Sequence, residues 1–237
     1  MGFDMTDQLY SSEKSAYLQN NPGWHVEDSP WKAEQIKKMI DRNGLSPRRV
    51  VEIGCGAGEI LNQLQNFLPD KTIEFFGYEI APDAMNLNRQ IVKPGLSFYY
   101  EDLLEKNEFF DLLLMMDVFE HVEDYYGFIK KSSSKATYKI YHIPLDISVF
   151  GVLRDTPGQA RKSVGHLHYF TKNTALSTLK DTSQEIIDWF YTPVMIEVHN
   201  EKLKTKLLNI FRKIVFPLNK NLAAKLFGGY SLLVLTK

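Results

Sequence analysis

The chain has only one cysteine, Cys55, among its 237 residues. It can therefore form neither an intramolecular disulfide nor a zinc cluster built on cysteines. No uninterrupted apolar run approaches the roughly 18 residues that a membrane-spanning helix needs. The first residues, MGFDMTDQLYSSEK, are polar and acidic, without the basic segment and apolar core of a secretory signal. These features predict a cytoplasmic protein.

An excess of positive charge is also missing. The chain carries 28 Lys and Arg against 29 Asp and Glu, which gives a net charge of -1. This balance argues against nucleic acid as a partner. Hydrophobic residues make up 44% of the chain and charged residues 24%, as in ordinary globular proteins, so one sizeable core is expected. An enzyme or a binding protein is the default expectation.

The beginning of the chain differs in character from the rest. Residues 1–30 are predicted to form an N-terminal arm, which could act as a lid that excludes water from a site. Ser29 and Pro30 are typical of a helix start, so a helix is predicted to begin at Trp31. Residues 31–237 are predicted to form a single domain.

Short apolar segments alternate with amphipathic helical segments along most of this domain. The predicted strands are RRVVEI (48–53), TIEFFGYEI (72–80), LSFYY (96–100), FFDLLLMMDV (109–118), TYKIYHIP (137–144), VMIEV (194–198) and YSLLVLT (230–236). The fourth is almost continuously apolar, as expected for a central parallel strand covered on both faces. The alternation favours an α/β fold with helices on both sides of a mostly parallel sheet.

A glycine-rich stretch, VVEIGCGAGEI, follows the first predicted strand. Gly54, Gly56 and Gly58 are spaced two apart, whereas the dinucleotide-binding fingerprint G-x-G-x-x-G needs a glycine at position 59. Glu59 stands there, and a carboxylate at the start of a helix is a poor neighbour for a pyrophosphate. The spacing therefore favours a nucleotide-like cofactor without phosphates.

Two acidic residues follow the next two predicted strands. Glu79 ends the second strand, where a carboxylate can accept hydrogen bonds from two ribose hydroxyls. Asp102 follows the third strand and adds an acceptor where an adenine amino group could lie. Glu79 alone suits NAD and an adenosyl cofactor equally, but the ordered set of glycines and acids at strand ends indicates a cofactor site.

These features resemble the class I S-adenosylmethionine-dependent methyltransferases, especially the small bacterial type related to ubiquinone-pathway O-methyltransferases. The matching stretches, over roughly residues 30–185 and the closing strand, are VVEIGCGAG, GYEI, YYEDL, FDLLLMMDVFEHVED and GHLHYFTKNTALSTL. The resemblance implies a Rossmann-like, doubly wound sheet of seven strands, mostly parallel with the last strand antiparallel. It also implies S-adenosylmethionine as the cofactor.

The resemblance further assigns residues to parts of that cofactor. The residues that would frame its methionine part are Glu52, Gly54, Gly56 and Gly58, with Cys55 packed in the same loop. Those that would surround the ribose and adenine are Glu79, Ile80, Asp102 and Leu103. Asp117 would line the floor near the sulfonium, and Trp31 and Lys32 would approach the cofactor carboxylate.

Histidines are the candidates for the acceptor end of the site. His121, in DVFEHVED, is the predicted general base for a hydroxyl acceptor, and the alternative is a structural role in the loop. Of His166 and His168, one is expected to line the acceptor pocket while the other packs. A metal site formed with His121 is an alternative, but no metal is expected. Trp24 and His25 in the arm are further candidate acceptor contacts.

The segment 200–228 is predicted to be a basic helical insertion, divided into two helices by Pro217. Its apolar stripe could lie on a membrane surface and recruit a lipid-linked acceptor, cap the acceptor pocket, or form a dimer face. The predicted activity is methyl transfer to a hydroxyl or amine of a small molecule, with a saccharide or a lipid-linked intermediate among the acceptors. A catalytically silent S-adenosylmethionine-binding protein or partner subunit is the main alternative, followed by a nicotinamide-dependent oxidoreductase.

Overall fold

The computed structural model describes residues 26–91, 93–198 and 203–237. Seven strands form one sheet in these residues: β1 (Arg49–Ile53), β2 (Glu74–Glu79), β3 (Leu96–Tyr100), β4 (Phe110–Met116), β5 (Ala136–Pro144), β6 (Ile186–Thr192) and β7 (Ser231–Thr236). Their order across the sheet is β3-β2-β1-β4-β5-β7-β6. The first five strands are parallel, and β7 lies between β5 and β6, antiparallel to both. This arrangement confirms the predicted α/β architecture.

Helices connect the strands and cover both faces of the sheet. They are α1 (Ser29–Arg42), α2 (Glu59–Phe67), α3 (Pro82–Asn88), α4 (Tyr125–Ser133), α5 (Val149–Leu153), α6 (Thr156–Ser163), α7 (Lys172–Asp181), α8 (Val194–Glu197), α9 (Leu203–Leu218) and α10 (Lys220–Phe227). Among the described residues, no helix combines the length and the apolar character that crossing a bilayer demands.

The core consists of two layers, one on each face of the sheet. Successive strand side chains point to opposite faces, so Leu112 and Leu114 of β4 pack in the layer that contains residues of α1 and α2. Leu113 and Met115 pack in the other layer, with residues of α4, α7 and α10. Burial on both faces explains the nearly unbroken apolar sequence of this strand.

One predicted strand is wrong. VMIEV forms the short helix α8, and the strand is instead the preceding segment, β6. Pro193 separates the two and stands at the N-cap position of α8. Because proline has no backbone N–H for a sheet ladder, the strand ends at Thr192 and the chain turns into a helix. Two helices that the sequence patterns do not predict, α5 and α6, follow β5.

Helix boundaries also differ from the predictions at two places. Helix α1 begins two residues earlier than predicted, with Asp28 rather than Ser29 at its N-cap position. The basic segment 200–228 does contain two helices, but the break falls at Asn219, whose Oδ1 accepts a hydrogen bond from the Leu222 N–H at 2.9 Å. Pro217 lies inside the last turn of α9. Residues 1–25 of the predicted arm lie outside the described residues, and the domain limits stay predictions.

Candidate active site

A cavity of about 610 Å³ opens at the carboxyl ends of the parallel strands. Its floor is formed by side chains at or just after the ends of strands, including Glu52, Glu79, Asp117 and His142, and helices α1, α6 and α8 contribute to its walls. Ligand sites of open α/β sheets lie at this edge, where the strand order reverses between β1 and β4. The position of the cavity therefore follows from the topology.

The turn between β1 and α2 places backbone against the cavity. Gly54, Gly56 and Gly58 have left-handed φ values of 67°, 53° and 79°. A Cβ on Gly54 would lie 2.9 Å from a methyl carbon of Val118, and one on Gly58 would lie 2.4 Å from the Phe98 ring. Gly54 and Gly56 line the cavity, whereas Gly58 stands at the N-cap of α2, outside the lining. Gly58 supports the turn and its packing, and its assignment to the cofactor stays a prediction.

Glu79 fixes this turn from β2. Its Oε2 accepts a hydrogen bond from the Gly56 N–H at 2.9 Å, and its Oε1 accepts from the N–H groups of Ile80 and Ala81 at 2.7 and 2.8 Å. Burial raises the pKa of Glu79, although these three donors oppose the rise. Since a carboxylate offers about four lone-pair sites, the side chain can still accept hydrogen bonds from a ligand in the cavity.

Glu52, in β1, carries a carboxyl oxygen that the described residues leave unsatisfied. The side chain is 1% exposed, and its Oε2 has no hydrogen-bond partner within the described part of the chain. Burial raises the pKa of Glu52 well above its usual range, while the Lys32 ammonium opposes this shift. A buried unpaired acceptor beside a cavity is best explained by a donor on a ligand.

Asp117 organises the floor after β4. Its φ of 58° is unusual for a residue other than glycine, and backbone strain of this kind clusters at functional sites. Its Oδ1 lies 2.6 Å from His142 Nδ1 and its Oδ2 lies 2.8 Å from Lys32 Nζ. Although burial opposes the shift, His142 and Lys32 lower the pKa of Asp117. Burial likewise opposes a rise in the pKa of Lys32, but Asp117 outweighs it.

His142 is a site residue that the sequence patterns miss. It lies in β5, and its Nε2 is 2.9 Å from Thr192 Oγ1 of β6. The only signal in the sequence is a polar side chain within a strand that is otherwise buried. Its partners, Asp117 and Thr192, are 25 and 50 residues away along the chain, so no local pattern reveals them.

Two histidines and an aspartate meet at the other end of the cavity. His121 and His166 both line it, with ring centroids 4.9 Å apart in an edge-on arrangement. His166 Nδ1 lies 2.6 Å from Asp146 Oδ2, and Asp146 also lines the cavity. The sequence patterns do not single out Asp146, which follows the proline-terminated strand β5. The group resembles a base with its orienting carboxylate.

Glu120 lies beside these histidines. Its side chain is fully buried, and neither carboxyl oxygen has a hydrogen-bond partner among the described residues. Burial raises the pKa of Glu120 well above its usual range, and the nearby Asp117 adds to the rise. Potential ligand atoms of Glu120, His121 and His166 lie within 4.8 Å of one another, so within the described part of the chain these are the side chains that could hold a metal ion. The expectation of no metal stays a prediction.

His168 is directed away from this group. Its Nε2 lies 2.9 Å from the carbonyl oxygen of Val122, and its ring packs 4.2 Å from that of Tyr125. It is not part of the cavity lining, whereas His166 is. Trp24 and His25 lie outside the described residues.

The remaining predicted cofactor residues form the side wall. Ile80, Asp102 and Leu103 all line the cavity, and Asp102 Oδ1 accepts a hydrogen bond from the Leu104 N–H at 2.8 Å. Cys55 also lines it, and burial raises the pKa of its thiol well above the usual range. The thiolate needed for a nucleophile is therefore disfavoured.

A methyltransferase domain family model matches residues 25–180, which include the glycine turn, every acid of the cavity floor and the three histidines of the cavity. The chain belongs to this methyltransferase family. The predicted class, an S-adenosylmethionine-dependent methyltransferase with a Rossmann-like fold, is confirmed, as is its cofactor.

Individual relatives of this methyltransferase differ widely in what they act on. It is 30% identical over 96 residues to malonyl-[acyl-carrier protein] O-methyltransferase of Bacillus anthracis, and the match spans only 39% of this chain and 35% of that protein. Magnesium protoporphyrin IX methyltransferase of Synechocystis, solved with S-adenosylmethionine, has a TM-score of 0.63 at 12% identity, covering 100% of this chain and 98% of that one.

The N-methyltransferase NodS of Bradyrhizobium japonicum, solved with S-adenosylhomocysteine, has a TM-score of 0.58 at 15% identity. That likeness covers 97% of this chain and 98% of NodS. At these identities the solved structures establish the fold of this methyltransferase and leave its acceptor open.

Proposed function

We propose that this methyltransferase transfers a methyl group from S-adenosylmethionine to a hydroxyl of a small molecule, with a saccharide or a lipid-linked intermediate as the acceptor class. The observation that carries the proposal is the hydrogen-bonded pair His166–Asp146, beside His121, in the same cavity as the acids that we assign to the cofactor. An amine is the second possible acceptor group. The family match favours methyl transfer over the nicotinamide-dependent alternative.

At the cofactor end, the chain offers a partner for each polar group of S-adenosylmethionine. We assign the unpaired Oε2 of Glu52 to the amino group and the Lys32 ammonium to the carboxylate. Glu79 would accept hydrogen bonds from the ribose hydroxyls. The residues assigned to the adenine are Ile80, Asp102 and Leu103. When bound, S-adenosylmethionine supplies an electrophilic methyl group, so the main task of the protein is to position the acceptor.

At the acceptor end, the chain holds a group that can remove a proton. With Asp146 accepting a hydrogen bond from Nδ1, the Nε2 atom of His166 is left in the acceptor state. An acceptor hydroxyl must lose its proton, and imidazole can take one near neutral pH. Asp146 would also stabilise the imidazolium that forms. His121, the base predicted from the sequence, lies against this ring and is the second candidate for the role.

Variants of the three acceptor-end residues test this assignment. The full-length protein is incubated with methyl-labelled S-adenosylmethionine and a cell extract divided into water-soluble and organic-soluble fractions. Label transfer is expected to fall roughly a hundredfold or more in His166→Ala, and less in Asp146→Asn, because loss of a general base typically costs about 10²–10⁴-fold. The loss of label transfer in His121→Ala measures how much His121, the second candidate base, contributes to methyl transfer.

His168→Gln is the matched control, since that histidine lies outside the cavity, and it should retain wild-type transfer. Every variant should bind S-adenosylhomocysteine with nearly unchanged affinity, which a purely structural role would not predict. Wild-type transfer in both His166→Ala and His121→Ala would refute the assignment of a histidine base. Binding of S-adenosylhomocysteine without label transfer to any fraction would instead favour the catalytically silent alternative.

A further inference from the structure

Large apolar side chains are exposed along α5, α9 and α10. Ten of them lie on these three helices: Val149, Phe150, Val152, Leu153, Leu207, Ile210, Phe211, Ile214, Leu218 and Leu222. We call this set the apolar surface. Only six other large apolar side chains are comparably exposed in the described residues, and they are scattered over other elements. Contiguous exposed apolar area of this kind marks an interaction site in a folded protein.

Helix α9 turns its apolar side outward. Positions 207, 210, 211, 214 and 218 follow the helical repeat, and their side chains are 52–82% exposed. The inward side carries Asn209 and Arg212, which are 2% and 5% exposed. The inward side also packs Val215 and Phe216 against the core. Even so, α9 buries two polar side chains and leaves five large apolar ones in contact with solvent, which departs from the usual arrangement of a surface helix.

Buried hydrogen bonds fix this orientation. Arg212 donates to the carbonyl oxygens of Phe227 and Gly228, both at 2.9 Å, and to Asn209 Oδ1. Asn209 donates to the carbonyl oxygen of Met195 at 2.6 Å. A rotation of α9 that buried its apolar side would leave these groups unpaired, which is costly in the interior. The outward apolar side is thus a stable property of the fold.

The exposed residues of the three helices form one continuous surface. The Phe227 ring of α10 lies 5.7 Å from the Phe150 ring of α5 and 6.3 Å from the Phe211 ring of α9, measured between centroids. The Phe227 ring therefore connects the exposed side chains of α5 with those of α9.

Positive charge borders this surface. Residues 203–228 contain six Lys and Arg and no Asp or Glu, although the whole chain has a net charge of -1. Lys206 and Lys213 are both exposed and, seven residues apart, lie on the same flank of α9. Lys220 and Lys225 are exposed on α10. Apolar residues flanked by lysines are typical of helices that lie in the interface of an anionic bilayer.

We propose that the apolar surface docks this methyltransferase onto an anionic lipid bilayer. The protruding side chains would enter the acyl region while the lysines contact lipid phosphates. A second copy of the chain is disfavoured as the occupant, because a symmetric contact would set the same surface, whose helical segments 149–153 and 203–228 contain no Asp or Glu, against these lysines and would offer them no negative charge. An anionic bilayer matches this surface, because its acyl region can accept the apolar side chains while its phosphates lie at the level of the lysines.

The apolar surface adjoins the cavity. Helix α6 follows α5 directly and contributes Gln159 and Ser163 to the cavity lining, and Met195, the partner of Asn209, lines it from α8. Docking would therefore hold this part of the cavity wall close to the lipid surface. This step rests on the proposed function, and it selects the lipid-linked intermediate from the two acceptor classes.

Vesicle flotation of the full-length protein tests the docking. Binding is expected to vesicles of phosphatidylcholine mixed with phosphatidylglycerol, to be weak with phosphatidylcholine alone, and to fall with added salt. Lys206→Glu/Lys213→Glu should lower the partition coefficient by roughly fivefold or more for each lysine. Ile214→Glu should lower it by roughly tenfold or more. The matched controls, Ile187→Glu and Lys130→Glu/Lys131→Glu, are exposed elsewhere and should bind as the wild type does.

Failure to float with either vesicle type would overturn the proposal, as would equal binding to both or equal loss in the controls. A solution dimer that Ile214→Glu splits, with no vesicle binding, would assign the surface to a second copy and also overturn it. The stabilisation by S-adenosylhomocysteine is measured on the same preparations. If S-adenosylhomocysteine stabilises the protein but no vesicles are bound, the docking proposal is refuted and the proposed function is not. If vesicles are bound but S-adenosylhomocysteine does not stabilise the protein, the proposed function is refuted and the docking is not.

Discussion

Two carboxyl groups on the cavity floor are tuned in opposite directions. Burial raises the pKa of Glu52, whose Oε2 has no partner in the described residues. Asp117 is half-buried, and His142 and Lys32 face it at 2.6 and 2.8 Å and lower its pKa although desolvation opposes the shift. Hydrogen-bond partners within the fold therefore make the difference. The Oε2 atom of Glu52 is left without a hydrogen-bond donor, and a bound amino group would supply one.

Glu52→Gln should stabilise the cofactor-free protein while weakening cofactor binding. The folded-state pKa of Glu52 lies above its ordinary value of 4.5, so the folded state holds a proton that the unfolded state releases. Its ionisation therefore lowers the free energy of unfolding as the pH rises from about 4.5 through the folded-state pKa. The glutamine variant lacks this contribution.

At neutral pH we expect the free energy of unfolding of the variant to be higher by about 1 kcal/mol or more, a rise of roughly 2–4 °C in Tm. Its affinity for S-adenosylhomocysteine should fall roughly tenfold or more, because a charged hydrogen bond is lost. Thermal melts between pH 4 and 8 and calorimetric titration measure the two effects. A lower Tm together with unchanged affinity would contradict the interpretation of Glu52.

Site residues that directly follow a predicted strand can be identified from the sequence. Site residues whose role depends on a partner far away along the chain cannot. Glu79 and Asp102 could be located because each stands at the end of an apolar segment, and both line the cavity. Asp146 acquires its place through His166, 20 residues later in the chain. Such pairings arise from tertiary structure, so single-residue patterns cannot predict them.

At the scale of elements, the pattern of apolar residues predicts a strand correctly where both faces of that strand are buried. The apolar run of β4 identifies a central strand because both of its faces are covered. The pattern fails for β6, whose sequence IIDWFYT contains a charge. In the fold, Asp188 is paired with the C-terminal end of α1: Arg42 Nε lies 2.8 Å from its Oδ2, and Nδ2 of Asn43, the residue after the helix, donates to the same oxygen at 3.1 Å. Local sequence contains no information about these partners.

The β1–α2 turn yields a prediction that separates backbone strain from packing. Gly58→Ala should destabilise the protein by about 2–4 kcal/mol, because a left-handed φ costs about 1–2 kcal/mol and the new Cβ would overlap the Phe98 ring. Gly44→Ala is the matched control. Gly44 also has a positive φ of 61°, but nothing lies within 4 Å of the position that a Cβ there would occupy.

Urea unfolding of both glycine variants gives the comparison, and Gly44→Ala should lose only about 1 kcal/mol. Equal losses in the two variants would mean that the contact with Phe98 contributes nothing and that only the turn conformation matters.

At the scale of the whole molecule, average composition conceals a strong asymmetry. A net charge of -1 predicts no preferred partner, yet residues 203–228 are free of acidic side chains and carry an exposed apolar side. The stripe is visible in the sequence. The sequence does not reveal that this stripe faces outward, because that orientation depends on buried hydrogen bonds from Arg212 to carbonyl oxygens at the α10–β7 connection.

Because the cavity draws residues from most strands of the sheet, ligand binding should stabilise the whole fold. S-adenosylhomocysteine at about 100 times its Kd should add about 2.7 kcal/mol to the free energy of unfolding, which raises Tm by roughly 5–10 °C. NADH at the same concentration should have no effect. Differential scanning fluorimetry measures both, and a shift with NADH alone would refute the cofactor assignment in this cavity.

The position of β7 has a consequence for how the chain acquires its structure. Among the described residues, strand β6 pairs with β7 alone, and β7 follows the six other strands in sequence but lies inside the sheet. During synthesis, β6 therefore has no sheet partner until β7 has emerged, after helices α8 to α10. Until β7 is in place, the edge of β5 that pairs with it is exposed together with the outward apolar side of α9, so the nascent chain is most prone to aggregation during that interval.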